Sequence, residues 1–373
     1  MRKLWIGIAF SLTLCLSLVF SAPAFAQTET VNLSLDTAID NALTNSLESV
    51  QMANTVTQLE EVKEQADFRT KKYFKSMDVE EDKLTQYLYY QYVVTPKKAA
   101  NSLNSAYLSQ KQLELVTRIT TATAYYNVAA CGLSEKAAYD ILLKAQKNYK
   151  DTQLLLELGQ VSQLDLMNAD IQLETAKMSL LSARNDTLQA KRDLCIKMGI
   201  AADTNIAITD KLVYQPVNIT DDNAAAQKLR DEDLGIQVDK YTFDNAVLEF
   251  QWADRAYSEG TFDYMISLST YNIAEKTYQT AQNQLLSDSY QFIGNIHLAE
   301  SQYLAALKNK QTIEKVYSLT ELRYVNGLAT QTEVLEAAAQ VSEVDAALVG
   351  ALLNYNMYRN AFESNYILLI HSD

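Results

Sequence analysis

An internal repeat is the feature that most limits the folds open to this chain. Segment 159–169, GQVSQLDLMNA, aligns without a gap with segment 327–337, GLATQTEVLEA, at an offset of 168 residues. The match extends in both directions, from Asn127 with Asn295 to Ala183 with Ala351. Self-similarity of this length at a fixed offset indicates a duplicated structural unit.

The composition predicts that this unit is helical. The 373 residues include only 9 glycines and 3 prolines, so few sharp turns are available. Long runs of good helix formers lie between them. In the first copy we predict a helix that begins with Thr95 as its N-cap and Pro96 as its first residue and ends at Leu158. In the second copy we predict a helix from about Phe262 to Asn326. About 63 residues at 1.5 Å each give a rod of roughly 95 Å.

Each long helix is expected to turn back at a glycine. Gly159 and Gly327 follow the two helices, and glycine readily adopts the positive φ found at helix ends. A capping residue and an acidic residue three positions later follow in each copy: Ser162 with Asp165, and Thr330 with Glu333. The return helices carry heptad repeats of large and small residues, which indicate left-handed coiled-coil packing. Heptads by themselves favour an ordinary antiparallel coiled coil without a central duct.

The N-terminal segment is typical of an exported protein. A basic start, an apolar run over 4–20 and the small residues Ala24 and Ala26 predict a signal peptide cleaved before Gln27. No later stretch reaches the roughly 18 apolar residues of a membrane-spanning helix. We therefore predict a signal peptide over 1–26, a first repeat over 27–202, a linker over 203–220 and a second repeat over 221–373.

Charge and residue usage argue against several classes of function. The net charge of −14 argues against nucleic-acid binding through phosphate contacts. His297 and His371 lie far apart without a ligand pattern, and Cys131 and Cys195 are expected to be free and buried because their helices place them out of register. No catalytic constellation is visible. We expect no enzyme, no metal and no cofactor.

The residues at the start of the chain and at the two turns resemble a known family. Segment 35–43, LDTAIDNAL, followed by Asn45, is similar to the N-terminal signature of the TolC-type outer-membrane efflux proteins, or outer membrane factors. Segments 159–169 and 324–337 are similar to the two periplasmic hairpin tips of that family. The resemblance implies an all-α chain of two tandem hairpins, three copies of which form a tapering helical tube.

The resemblance also implies a function and partners. Such a homotrimer docks its tips onto a periplasmic adaptor, a membrane fusion protein, which links it to an inner-membrane pump. Substrates leave passively through the bore of this tripartite efflux or type I secretion system, in the outer membrane of the cell envelope. The alternative from another class is a non-transporting envelope protein, a helical spacer or adhesin that uses the same hairpins.

The family's tip residues transfer to this sequence in part. The resemblance implies a pore constriction with a closing hydrogen bond and rings of carboxylates, at Asp165, Tyr324, Glu333 and Glu336. It implies an adaptor contact at Gly159, Gln160, Gly327 and Leu328. Helix capping alone explains Asp165 and Glu333 equally well, and the turns alone explain the glycines. Ala329 stands where the family often has an arginine.

The opposite end departs from the family, which has two β-strands there in each half. Between Phe74 and Pro96 only 87–94, YLYYQYVV, is strand-like, and 264–269 offers a second short candidate. A membrane strand needs about 9–11 residues. We therefore expect little or no β-barrel. The tyrosines form either a stunted barrel or interfacial belt, or an aromatic plug where the helices turn back.

Overall fold

The computed structural model describes residues 30–77 and 84–367, and these residues are almost entirely helical. The prediction of an all-α chain with two tandem antiparallel hairpins is confirmed. In chain order the elements are β1 (Val31–Leu33), α1 (Leu35–Asn45), α2 (Leu47–Met77), α3 (Gln86–Tyr89), a π-helical turn (Tyr90–Val94), α4 (Thr95–Glu157), α5 (Gln163–Lys197), β2 (Ile206–Ile208), α6 (Asp222–Glu232), α7 (Leu234–Ala256), α8 (Phe262–Val325) and α9 (Gln331–Glu363).

The first hairpin pairs α4 with α5, and the second pairs α8 with α9. Small and large side chains interdigitate between α4 and α5, as the heptads predict: Ala138, Leu142, Ala145, Ala176 and Leu180. The hairpins lie side by side because α9 also packs along α4. Among these four helices, α5 and α8 therefore form the two outer edges.

A short parallel pairing joins the start of the chain to the segment between the halves. β1 pairs with β2 in the register Val31 to Ile206. The buried Tyr125 of α4 donates a hydrogen bond to the carbonyl of Leu33 at 2.8 Å. The buried Tyr355 of α9 donates to the carbonyl of Gln215 at 2.9 Å. One tyrosine from each hairpin thus fixes the segment that connects the two halves.

The strand-like segment 87–94 does not form a strand. These residues form α3 and the π-helical turn, which continue directly into α4. Pro96 explains why the turn is π-helical rather than α-helical, because Pro96 has no N–H to donate to the carbonyl of Tyr92 and its ring crowds that carbonyl. The N–H of Thr95 instead reaches the carbonyl of Tyr90, five residues back. The short strand considered over 264–269 is also wrong, since these residues lie within α8.

The capping role predicted for Thr95 is wrong as well, although α4 does begin at this residue. Its backbone is helical, and its hydroxyl donates back to the carbonyl of Tyr90 at 3.1 Å. A residue inside a continuous helical run has no free N–H groups to cap.

Aromatic rings fill the end of the molecule where α2, the π-helical turn and α7 meet. Tyr73 stacks on Tyr92 with ring centroids 4.1 Å apart, and Tyr90 meets Trp252 edge-on at 4.9 Å. Of the two alternatives for the tyrosines, the packing matches the aromatic plug. Within residues 30–77 and 84–367, no helix has both the length and the apolarity to cross a bilayer.

The two cysteines of the described chain are free thiols. Cys195 is buried, but Cys131 is only half-buried, so the prediction of burial is wrong for Cys131. Burial raises the pKa of both thiols, which keeps them protonated and unreactive. His371 and the predicted signal peptide lie outside the described residues.

Candidate functional site at the hairpin tips

Both hairpins turn back through the same backbone motif. The N–H of Gly159 donates to the carbonyl of Leu156, and the N–H of Gln160 to that of Leu155, each at 2.9 Å. At the second tip the corresponding bonds run from Gly327 to Tyr324 at 2.9 Å and from Leu328 to Arg323 at 2.8 Å. This is the Schellman arrangement, which needs a positive φ at the glycine, and φ is 73° at Gly159 and 71° at Gly327.

A cavity of about 430 Å³ lies between the two tips. Four of the residues that line it are Gln160, Asp165, Tyr324 and Gln331. The structure therefore brings three of the predicted site residues to one place. Glu336 lines an adjoining groove of about 470 Å³, which lies between the hairpins and farther from the tips. Gly159, Gly327, Leu328 and Glu333 are not among the described residues that line either space.

Asp165 caps the first return helix. Its Oδ2 accepts hydrogen bonds from the N–H of Ser162 at 2.8 Å and from the Ser162 hydroxyl at 2.7 Å. The N–H of Asp165 donates to the Ser162 hydroxyl at 3.3 Å, which completes a capping box. The Ser162 donors lower the pKa of Asp165. In the described chain Asp165 and Tyr324 line the same cavity without a hydrogen bond between them.

Glu333 makes the same capping box with Thr330, whose N–H donates to Oε2 at 2.6 Å. The hydrogen bonds from Thr330 and the nearby charge of Arg323 lower the pKa of Glu333. Arg323 also donates to the carbonyl of Leu328 at 3.0 Å, across the turn. A guanidinium therefore stands at the second tip although Ala329 occupies the family's usual arginine position. One signal for this guanidinium was present in the sequence: the two repeats differ at this position, where the first copy has Leu155 and the second has Arg323.

A buried asparagine connects the two hairpins just above the tips. Asn148 of α4 is 5% exposed and accepts a short hydrogen bond from the side chain of Gln331 at the start of α9. Thr152 donates to the same oxygen at 3.3 Å, and the Asn148 amide donates to Gln172 of α5 at 3.4 Å. Sequence reasoning missed this contact. The only sign of this contact in the sequence was that the polar Asn148 stands where the second copy has Val316.

The tips place two capped helix starts beside a cavity with polar lining residues. Within the described residues, no group of three histidine, cysteine or acidic side chains is arranged to hold a metal ion. Asp165 and Glu333 are exposed at the hairpin tips. Charges in this place act on ions and on partner proteins that reach the tips.

Comparison with known proteins agrees with this architecture. The family model for outer membrane efflux proteins matches residues 259–363, which span α8 and α9. No curated protein sequence matches the chain. Among solved structures, the outer membrane protein VceC of Vibrio cholerae has a TM-score of 0.70 at 14% identity, over 88% of this chain and 94% of VceC.

Two further channels have the same fold. The outer-membrane channel OprN has a TM-score of 0.71 at 11% identity, over 89% of each chain. The open state of the MtrE outer membrane channel of Neisseria gonorrhoeae has a TM-score of 0.69 at 13% identity, over 89% of this chain and 88% of MtrE. The family model for outer membrane efflux proteins thus covers the second hairpin, and the chain shares its fold with these channels.

Proposed function

We propose that this chain is one subunit of a homotrimeric passive export duct in the outer part of the cell envelope. One observation carries the proposal: two repeat-related hairpins lie side by side and end in the same tip motif, with a polar cavity between the tips. A spacer or adhesin has no need for duplicated tips that meet around an open space. Three copies would place six such tips around one axis.

The tips are the proposed contact with a periplasmic adaptor, a membrane fusion protein that joins the duct to an inner-membrane pump. The proposed contact residues lie at the extreme end of each hairpin: Gly159, Gln160, Gly327 and Leu328. The side chain of Leu328 is 69% exposed, and a large apolar residue at a turn favours contact with another protein. This assembly would be a tripartite efflux or type I secretion system.

Acidic residues near the tips give the proposed duct a cation preference. Around a threefold axis, Glu333 and Glu336 would each become three carboxylates, and Asp165 and Tyr324 would line the narrowest part of the bore. Like charges at close range repel one another and attract cations. Both Asp165 and Glu333 also cap helices, so they would serve both purposes.

Accumulation of a fluorescent efflux dye tests the proposal. Host cells that lack the gene should retain dye, and expression of the chain should lower the retained dye several-fold. A variant with Gln160→Glu and Leu328→Glu should fail, because charges oppose an apolar tip contact. Leu133→Glu is the matched control, since Leu133 is exposed on α4 about 40 Å from the tip.

The control variant should export dye as the native chain does. If the native chain exports no more dye than cells without the gene, the duct is refuted and the spacer or adhesin is favoured. If the tip variant exports normally, the tips are not the contact with the adaptor.

A further inference from the structure

The second hairpin tip contains two neighbouring residues that can react with each other. Asn326 is the only asparagine of the 373 residues that is followed directly by a glycine, Gly327. In such a pair the backbone nitrogen of the glycine can attack the side-chain carbonyl carbon of the asparagine. The attack is least hindered at glycine, because glycine has no Cβ. The first tip has Leu158 before Gly159, and a leucine side chain offers no carbonyl to attack.

The reaction needs water as its only co-reactant. A bond forms between the nitrogen of Gly327 and Cγ of Asn326, the bond from Cγ to Nδ2 breaks, and Nδ2 leaves as ammonia with the proton that the Gly327 nitrogen gives up. Water then opens the five-membered succinimide ring. Opening at Cγ gives aspartate, and opening at the backbone carbonyl carbon gives isoaspartate, in which the main chain runs through Cγ. In both products a neutral amide has become a carboxylate.

The turn at the second tip is open to solvent. Asn326 and Gly327 are both exposed. Apart from the two sequence neighbours of Gly327, no atom of the described chain lies within 4 Å of the place that a Cβ of Gly327 would take. Water therefore reaches this turn, as the second step requires.

The folded turn holds both reacting groups in hydrogen bonds. The N–H of Gly327 donates to the carbonyl of Tyr324 at 2.9 Å, and Nδ2 of Asn326 donates to the carbonyl of Leu322 at 2.7 Å. The backbone ψ of Asn326 is 7°, and closure of the ring requires a rotation away from this value. The last turn of α8 must therefore open before the reaction can start. Helix ends open locally at a low cost in free energy.

We propose that Asn326 is a site of spontaneous deamidation that the closed second tip protects, so that the modification accumulates each time this tip opens. The inference goes beyond the proposed duct and does not depend on it. Water does not restore the amide, so the fraction of modified chains records the opening of the tip over the life of the protein.

The product changes the chemistry of the second tip alone. Its carboxylate has no hydrogen to donate to the carbonyl of Leu322, and a negative charge at the C-terminal end of a helix is unfavourable. The guanidinium of Arg323 offsets part of this charge, but it already donates to the carbonyl of Leu328 at 3.0 Å. The turn of the second tip should therefore open more readily after the reaction, while the first tip is unchanged.

Peptide mapping of the full-length chain tests the site. After incubation of the folded chain at mildly alkaline pH, mass spectrometry should find Asn326 converted to both aspartate and isoaspartate, several-fold ahead of every other asparagine. The same chain unfolded in guanidinium chloride should convert at Asn326 several-fold faster. The control variant Asn326→Gln should gain no carboxylate at this position, because glutamine would have to close a six-membered ring, which is far slower.

Three results would overturn the proposal. Equal rates at Asn326 in the folded and the unfolded chain would show that the tip gives no protection. An intact Asn326 in the folded chain, under conditions in which the unfolded chain reacts, would show that the tip does not open far enough. Equal conversion of other asparagines in the folded chain would show that the site is not selective.

The variant Asn326→Asp carries the aspartate product and tests its effect on the tip. Amide exchange at Leu328 should be several-fold faster than in the native chain, and exchange at Gln160 in the first tip should not change. The matched control is Asn283→Asp, which adds the same charge at an exposed position of α8 about 65 Å from Asn326 and should leave both tips as they are. Native exchange at Leu328 in the Asn326→Asp variant would contradict the effect on the turn.

Discussion

Tyr125 holds the start of the chain to the segment that connects the two halves. Its hydroxyl donates to the carbonyl of Leu33 and accepts from the N–H groups of Thr209 at 3.1 Å and Asp210 at 3.0 Å. The side chain is fully buried. Three backbone groups from two distant segments are therefore satisfied by one oxygen atom.

Replacing Tyr125 by phenylalanine should lower the free energy of unfolding by about 2 kcal/mol, because buried backbone groups lose their partner. Urea unfolding followed by circular dichroism measures the change. Tyr139→Phe is the control, since Tyr139 is exposed and should cost almost nothing. Equal stabilities of the two variants would contradict the role given to Tyr125.

The capping carboxylates predict a pH dependence at the tips. Asp165 and Glu333 have lowered pKa values in the folded chain. Their stabilising effect is therefore complete above the unfolded pKa values of about 4 and is lost as the pH falls through the lower, folded values. Amide exchange at the first turns of α5 and α9, corrected for its intrinsic rate, should accelerate as the pH falls below about 4.

Asp165→Asn should remove the pH dependence at the first turn of α5 and leave it intact at α9. The second tip thus serves as the control within the same molecule. Exchange at α5 that remains pH-dependent in the Asp165→Asn variant would show that another group governs this turn.

At the scale of elements, local signals explain which parts of the fold could be predicted. The ends of α4 and α8 fall within one residue of their predicted positions because Gly159 and Gly327 have Schellman geometry. Ser162 and Thr330 begin the return helices through capping boxes, as predicted. All of these signals act within six residues of sequence.

Features set by distant contacts could not be predicted in the same way. The tyrosines and valines of 87–94 favour strands by propensity, but packing against Tyr73 and Trp252 holds them in a helix. The contact between Asn148 and Gln331 depends on how the two hairpins are placed side by side. Heptads specify the partner within a hairpin and carry no information about that placement.

The π-helical turn gives a prediction at this scale. Pro96→Ala restores an N–H that can donate to the carbonyl of Tyr92, so the turn should revert to a regular α-helix. Tyr90 would then move relative to Trp252, the only tryptophan after the predicted signal peptide. In chain lacking 1–26, tryptophan emission should shift, whereas the neighbouring Lys97→Ala should leave it unchanged. An unchanged spectrum for Pro96→Ala would show that Pro96 does not cause the turn.

In the whole molecule, both hairpin tips carry acidic residues and lie at the same end. The proposed trimer would arrange these tips around a bore. Glu333→Gln with Glu336→Gln should weaken block of a reconstituted conductance by divalent cations about tenfold, because two rings of carboxylates lose their charge. The control, Glu314→Gln with Glu343→Gln, removes the same charge away from the tips. Equal block in both variants would contradict the carboxylate rings.

The assembly of the chain into a hollow trimer is the claim on which the rest depends. Light scattering and electron microscopy of purified residues 27–373 test it most directly. A mass of three chains and a rod with a central channel are the predicted result. A stable monomer, or a rod without a channel, would contradict the duct.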